Sequence, residues 1–229
     1  MNTNAVLPIP RSSTDRLLSI PWLRVGIHSV GLLPLFELFY LYLMNRLTFN
    51  PIQFIEQFFG RAALNLLVVA LAITPMVTIT GWKKLTKHRR ALGLYTFFYF
   101  VLHFITFAGF DYGFDFRQIF LLIIQKPFIL FGLVAGLLLL ALAATSFKYW
   151  MKRLGKNWSR LHKLVYVIGG VAVLHYALAV KGSLTTLSGN IGRPLVMGLL
   201  VIILLIIRIP LVKTGIISLR KRIVDQFNK

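Results

Sequence analysis

Five histidines and no cysteine bound the chemistry open to this chain of 229 residues. Without cysteine there are no disulfides, zinc–thiolate sites, iron–sulfur clusters or Cys nucleophiles. Of the histidines, His103 and His175 fall deep inside long apolar stretches, where an ionisable side chain is costly and by default marks function. His103 stands 13 residues beyond Arg90, and His175 stands 13 residues beyond His162. At 1.5 Å per residue each lies about 20 Å further along its helix, so the two share a depth when the helices run in the same direction. Two neutral imidazoles facing each other across a bundle form the pair that bis-histidine haem ligation needs. The same residues also suit polar contacts between helices, and spacing alone leaves both readings open. Zinc or di-iron fits less well, because no acidic residue lies in either stretch. His88 reads as a solvated loop residue, and His28 as an amphipathic ring at interface depth.

A haem needs space. Gly169, Gly170 and Ala172 supply small residues between His162 and His175, and Gly132, Ala135 and Gly136 supply them in the preceding stretch. A spacing of 13 turns an ideal helix through about 220°, which puts His162 and His175 on different faces. A bend at Gly169–Gly170 is the expected correction.

The elements that must position these residues are membrane spans. The hydrophobic share is 57%, mean hydropathy is +0.76 and only 14% of residues are charged. That excludes a soluble globule and a disordered chain. Six stretches meet the roughly 20 apolar residues that a bilayer core demands: 25–44, 62–80, 91–109, 128–147, 164–180 and 195–212. None alternates with the period of a barrel strand. No small-residue cleavage site follows the first stretch, so it reads as retained rather than as a signal peptide. The net charge is +20, from 26 Lys and Arg against 6 Asp and Glu. Twenty of the 26 fall in the N-terminal tail (Arg11, Arg16, Arg24), the second loop, the fourth loop and the C-terminal end. The other six are Arg46, Arg61, Arg117, Lys126, Lys181 and Arg193. The partition predicts cytoplasmic N- and C-termini and makes the basic balance a topology signal, with no nucleic-acid partner. The expected fold is an all-α integral membrane protein, a six-helix transmembrane bundle, with residues 1–229 as one domain and no internal repeat.

Other residues carry two readings each. Arg89 and Arg90 suit haem propionates or an FMN phosphate, and equally a positive-inside anchor. Glu37 suits proton transfer, or a neutral structural role. Trp150 and Trp158 read as interfacial belt residues, Asn157 as the N-cap of the fifth span, Gly132 and Gly136 as a close-packing face, and Asp111 and Asp115 as solvated loop acids.

At 89–103 (RRALGLYTFFYFVLH), 126–132 (KPFILFG), 143–146 (AATS), 154–166 (LGKNWSRLHKLVY) and 175–181 (HYALAVK) the chain resembles a known family. This is the MsrQ (YedZ-type) family of haem-binding membrane subunits of periplasmic methionine-sulfoxide reductase systems, within the ferric-reductase-like transmembrane superfamily. Lys126 and Lys163 stand where arginine is commoner. The resemblance implies a bacterial inner-membrane electron conduit with b-type haem. Electrons come from the quinone pool, or from a flavin reductase by way of FMN. The recipient is a periplasmic molybdenum-containing (molybdopterin) methionine-sulfoxide reductase that repairs oxidised proteins. The resemblance further implies that His103 and His175 are the outer haem ligands, with His162 matching one inner ligand. Arg90, or Arg89, stands where the other inner histidine belongs, and an always-protonated guanidinium cannot ligate iron.

Two other functions compete with this one. A ferric or oxygen reductase with the same membrane core needs a separate flavoprotein donor, since no G-x-G-x-x-G fingerprint occurs. A small transporter or channel calls for inverted repeats and broken, charged helices.

Overall fold

The structure, a computed structural model, describes residues 22–180, 182–183 and 188–227. Arg11, Arg16, Lys181 and Lys229, all counted in the charge partition, lie outside the described residues. The chain runs through α1 (Trp22–Leu43), α2 (Pro51–Thr80), a 3-10 turn (Lys83–His88) and α3 (Arg89–Ile105). A π-helical turn (Thr106–Asp111) extends α3 and leads to α4 (Phe116–Gln125) and α5 (Pro127–Ala144). The short helices α6 (Lys148–Leu154) and α7 (Lys156–Leu161) and a 3-10 turn (His162–Leu164) precede α8 (Val165–Ala179). After α8 a two-residue antiparallel ladder pairs Gly182–Ser183 with Ser188–Gly189, and α9 (Gly192–Ile206) and α10 (Pro210–Phe227) follow. Among the described residues five helices are long and apolar enough to span a membrane, or six when the bent pair at the C-terminal end counts as one span.

Two spans differ from the sequence reading. The second begins at Pro51 rather than residue 62, because Asn50 caps it by accepting from the Gln53 N–H at 3.1 Å and Pro51 suits its first turn. Gln53, Glu56, Gln57 and Arg61 interrupt its hydropathy without ending the helix. The last span breaks near Arg208 and bends by 77°, since a proline disfavours helix in the residue before it and Pro210 starts a new helix. The six stretches also leave out α4, an apolar ten-residue segment in the third loop, the short α6 and α7 in the fourth, and most of α10. Asp115, expected as a solvated loop acid, caps α4 by accepting from the Gln118 N–H at 3.0 Å.

In lipid, apolar surface gives no net drive for helices to associate, so close packing and hydrogen bonds must do it. The core is a ring of four helices in which α2 packs on α3, α3 on α5, α5 on α8 and α8 on α2. Small residues let them close: the Phe100 ring fills the space beside Gly136, and Leu71 lies 3.1 Å from where a Cβ of Gly169 would sit. α1 lies against α2 and α3. The Tyr95 ring covers Gly31, the Tyr99 hydroxyl donates to the Gly31 carbonyl at 2.8 Å, and His28 Nδ1 lies 2.9 Å from the Tyr95 hydroxyl. The last contact gives His28, which is exposed, a tertiary partner as well.

Pro75 lies inside α2 and has no N–H, which deprives the Leu71 carbonyl of its helical donor. The Arg208 guanidinium supplies the missing bond, donates to the Tyr166 hydroxyl at 2.7 Å, and stacks 4.7 Å over the Tyr166 ring. Thus the break in the last span delivers a cation to a carbonyl that lipid could not satisfy.

Candidate functional site

His103 sits near the end of α3 and His175 near the end of α8, on diagonally opposed helices of the ring. Their ring centres are 6.2 Å apart with planes at 72°. Two imidazoles bonded at about 2 Å to opposite sides of one metal ion have centres about 6 Å apart, so the donor set fits an iron held between them. The expected pairing is therefore present in space.

The backbone around each ring decides which nitrogen is free. His103 Nδ1 lies 2.9 Å from the Glu56 carbonyl of α2, and His175 Nδ1 lies 2.7 Å from the Phe128 carbonyl of α5. A carbonyl only accepts, so Nδ1 of each ring carries the proton and Nε2 keeps its lone pair. That is the tautomer a metal-ligating histidine needs, with its other nitrogen anchored. Each ring also lies over a glycine one turn beyond that carbonyl, on α2 for His103 and on α5 for His175. A Cβ on Gly60 would stand 3.2 Å from His103 Nδ1, and one on Gly132 would stand 2.9 Å from His175 Nδ1.

The two arrangements are copies. Histidine and carbonyl are 47 residues apart in both. Carbonyl, glycine and histidine of the second lie at a common offset of 72 positions from those of the first. The sequence agrees at that offset in Phe59-Gly60 with Phe131-Gly132, Leu66-Leu67 with Leu138-Leu139, and Val101-Leu102-His103 with Val173-Leu174-His175. Contrary to the expectation of no repeat, α2–α3 and α5–α8 form a pseudo-symmetric pair. Sequence reasoning missed Gly60, and the recurring Phe-Gly was the signal that could have found it.

The space expected between His162 and His175 is used otherwise. Gly169 is buried against Leu71 and Val201, and no atom outside its own helix lies within 4 Å of a Cβ on Gly170. α8 runs unbroken through both glycines, and the turn that rephases His162 is the 3-10 segment His162–Leu164. At about 120° per residue it narrows the angular offset from about 140° to about 80°.

His162 lies at the far, basic end of the ring. Its Nε2 is 3.3 Å from the Thr145 hydroxyl, whose own proton points to the Ala141 carbonyl at 2.7 Å. The hydroxyl oxygen therefore accepts from Nε2–H. The Trp158 ring covers the imidazole with centres 4.1 Å apart, and its N–H donates to the Thr145 carbonyl at 2.9 Å. So Trp158 closes the C-terminus of α5, beyond a belt role. Asn157 is not an N-cap: it lies inside α7, which starts after Gly155 at φ 50°. Arg89 and Arg90 begin α3 at the same basic end, both exposed, and are not brought to the His103–His175 pair.

At the histidine end, the π-helical turn follows His103 by three residues, and such turns recur at functional sites. Burial, then the Asp111 and Glu56 carboxylates, push the Tyr112 phenol above its ordinary range.

Residues 59–173 match the model of the family described as ferric reductase like transmembrane component. The chain is 40% identical to the protein-methionine-sulfoxide reductase heme-binding subunit MsrQ of Herminiimonas arsenicoxydans over 180 residues, covering 78% of this chain and 80% of that protein. It is 46% identical to the protein of that name from Xanthomonas campestris pv. campestris (strain B100), over 59% of this chain and 62% of the other. A Polaromonas naphthalenivorans relative of the same name is 43% identical over 66% and 69%. No solved structure matches.

Proposed function

The chain belongs to the ferric reductase-like transmembrane family and, within it, to the MsrQ-type haem-binding subunits, and we propose that it relays electrons across a membrane through one b-type haem held between His103 and His175. The observation that carries this reading is the pair of imidazoles with centres 6.2 Å apart, each with Nδ1 tied to a backbone carbonyl. The haem, when bound, supplies a one-electron ferric–ferrous couple. The chain's part is to fix both rings, hold their Nε2 lone pairs inward, and keep the pair away from bulk water within four packed helices.

The basic-residue partition supports cytoplasmic termini in a bacterial inner membrane, which puts the histidine pair towards the periplasm. A reporter fused after Lys229 should then be active only if it works in the cytoplasm. The recipient under this reading is a periplasmic molybdopterin methionine-sulfoxide reductase, and the donor is the quinone pool or reduced flavin, with FMN near the basic end. Arg89 and Arg90, exposed there, suit a flavin phosphate and stand too far along α3 for propionates of a haem at His103. His162 stays outside the iron's coordination, because Thr145 engages its Nε2 and Arg90 stands at the offset position.

The test compares purified alanine variants of His28, His88, His103, His162 and His175 by absorbance and EPR at matched expression. His103→Ala and His175→Ala should lose haem or turn it high-spin, and the other three should keep a low-spin spectrum. Full low-spin occupancy in either of the first two overturns the assignment.

A further inference from the structure

Beside the histidine ring lies a second feature that haem ligation does not use. A cavity of about 530 Å³ opens between α1, α2 and α9, in the size range of ligand clefts. Five polar side chains line it: Glu37 from α1, Arg61 and Asn65 from α2, Tyr176 from α8 and Arg193 from α9. Its remaining lining includes Phe58, Val196 and other apolar residues. Glu37, Asn65 and Arg193 are exposed, so on a membrane-spanning surface they face the bilayer. α2 is about 45 Å long against a hydrocarbon core of about 30 Å, and Arg61 lies about 28 Å from its Thr80 end, so Arg61, like Arg193 in the first turn of α9, stands near the outer edge of the core. Among the described residues no carboxylate stands within ion-pair distance of either guanidinium.

Hydrocarbon cannot satisfy such a set. At the outer edge of the core the groups that stand beside such charges are the polar headgroups of the lipids. The partner must arrive from the bilayer, carry apolar tails alongside the apolar lining, and present an oxyanion to two arginines and a cation to one carboxylate. We propose that the cavity binds the headgroup of a glycerophospholipid bearing a primary ammonium, with the phosphate on Arg61 and Arg193 and the ammonium on Glu37. Guanidinium forks match phosphate oxygens in a bidentate way. Glu37 then selects an ammonium headgroup over a glycerol one. The choline headgroup carries the same charge but has no N–H to donate. This site is independent of the haem reading, because none of the five residues is a proposed ligand.

The experiment is native mass spectrometry of the detergent-purified full chain. The probes are phosphatidylethanolamine, phosphatidylglycerol, phosphatidylcholine, inorganic phosphate and a short-chain ubiquinone, with gel filtration to establish folding. The wild type should retain one phosphatidylethanolamine in preference to the other two lipids. The Arg61→Gln/Arg193→Gln double variant should weaken retention of every phospholipid at least about tenfold, as loss of charged hydrogen bonds implies, and Arg61→Lys/Arg193→Lys should restore part of it. Glu37→Gln should keep the phosphate contact yet erase the preference for phosphatidylethanolamine. Equal retention of all lipids by wild type and variants overturns the proposal. Displacement of the lipid by millimolar phosphate makes it a free-anion site, and displacement by the quinone makes it a quinone site; either result also overturns it. A colourless but lipid-selective protein refutes the haem reading alone.

Discussion

The two ends of the four-helix ring use the same pseudo-symmetric frame and build different things with it. At the histidine end both halves place the same four parts: a carbonyl, a glycine one turn on, a histidine, and a bond from its Nδ1 to the carbonyl. At the basic end the halves diverge. The second half holds His162 against Thr145, whereas the offset positions in the first half are Arg90 and buried Ile73. A shared frame thus does not fix shared chemistry. A ligand pair needs matching residues and matching tautomers on both sides, and only one end has them.

The largest expected effect comes from breaking the matched end. His103→Ala or His175→Ala should drop haem content at least about tenfold or leave it high-spin, because one remaining nitrogen cannot complete an axial pair. Measuring haem per protein and the EPR spin state checks this. Next in size is Gly132→Ala, since its Cβ would stand 2.9 Å from the His175 ring and must displace it. Overpacking of this kind costs about 1–3 kcal/mol, so haem retention should weaken by roughly an order of magnitude. Gly60→Ala should do less, its Cβ meeting His103 at 3.2 Å. A Gly60→Ala protein that loses more haem than Gly132→Ala would show that the two halves are not held as their contacts indicate.

Arg208→Met tests the last span. It leaves the Leu71 carbonyl, freed by Pro75, without a donor, at a cost of about 1–3 kcal/mol for a buried orphan acceptor. Thermal unfolding should fall measurably, and adding Pro75→Ala, which restores the helical N–H, should recover part of the loss. An unchanged melting temperature in the single variant would remove Arg208 from the packing account.

How much of this was readable beforehand depends on the kind of signal. The span count and the His103–His175 pairing were legible, because hydropathy marks spans and a fixed rise per residue converts spacing into depth. The start of α2 was not, because Gln53, Glu56 and Arg61 depress hydropathy while Asn50 and Pro51 set the helix start through local hydrogen bonding. The bend near Arg208 was equally hidden. Its arginine read as one more basic residue of a tail, and its role appears only once Pro75, 133 residues earlier, is seen to free a carbonyl. The small residues around the proposed haem were legible only in part, at Gly132, for a similar reason. Gly169 and Gly170 are small, but Leu71 of another helix fills the space beside Gly169, whereas Gly60 and Gly132 face the rings. Small residues announce close approach without saying what approaches.

The smallest effect is expected from trying to complete the unmatched end. Arg90→His puts a histidine at the position 72 residues before His162, so residue type alone would then match on both halves. Haem content should nonetheless stay at the wild-type ratio. The Nε2 of His162 is engaged by the Thr145 hydroxyl, which in turn is held by the Ala141 carbonyl, and the Trp158 ring covers the imidazole face. Ile73, 3% exposed, occupies the place that corresponds to Thr145. Freeing Nε2 with Thr145→Ala in the same chain removes one obstacle and leaves the others, so the double variant sharpens the comparison. The measurement is haem per protein by absorbance against amino-acid analysis, in membranes supplied with excess haem. A doubled ratio in Arg90→His alone would mean that the two ends differ only in residue type, and the argument from tautomer and packing would fall.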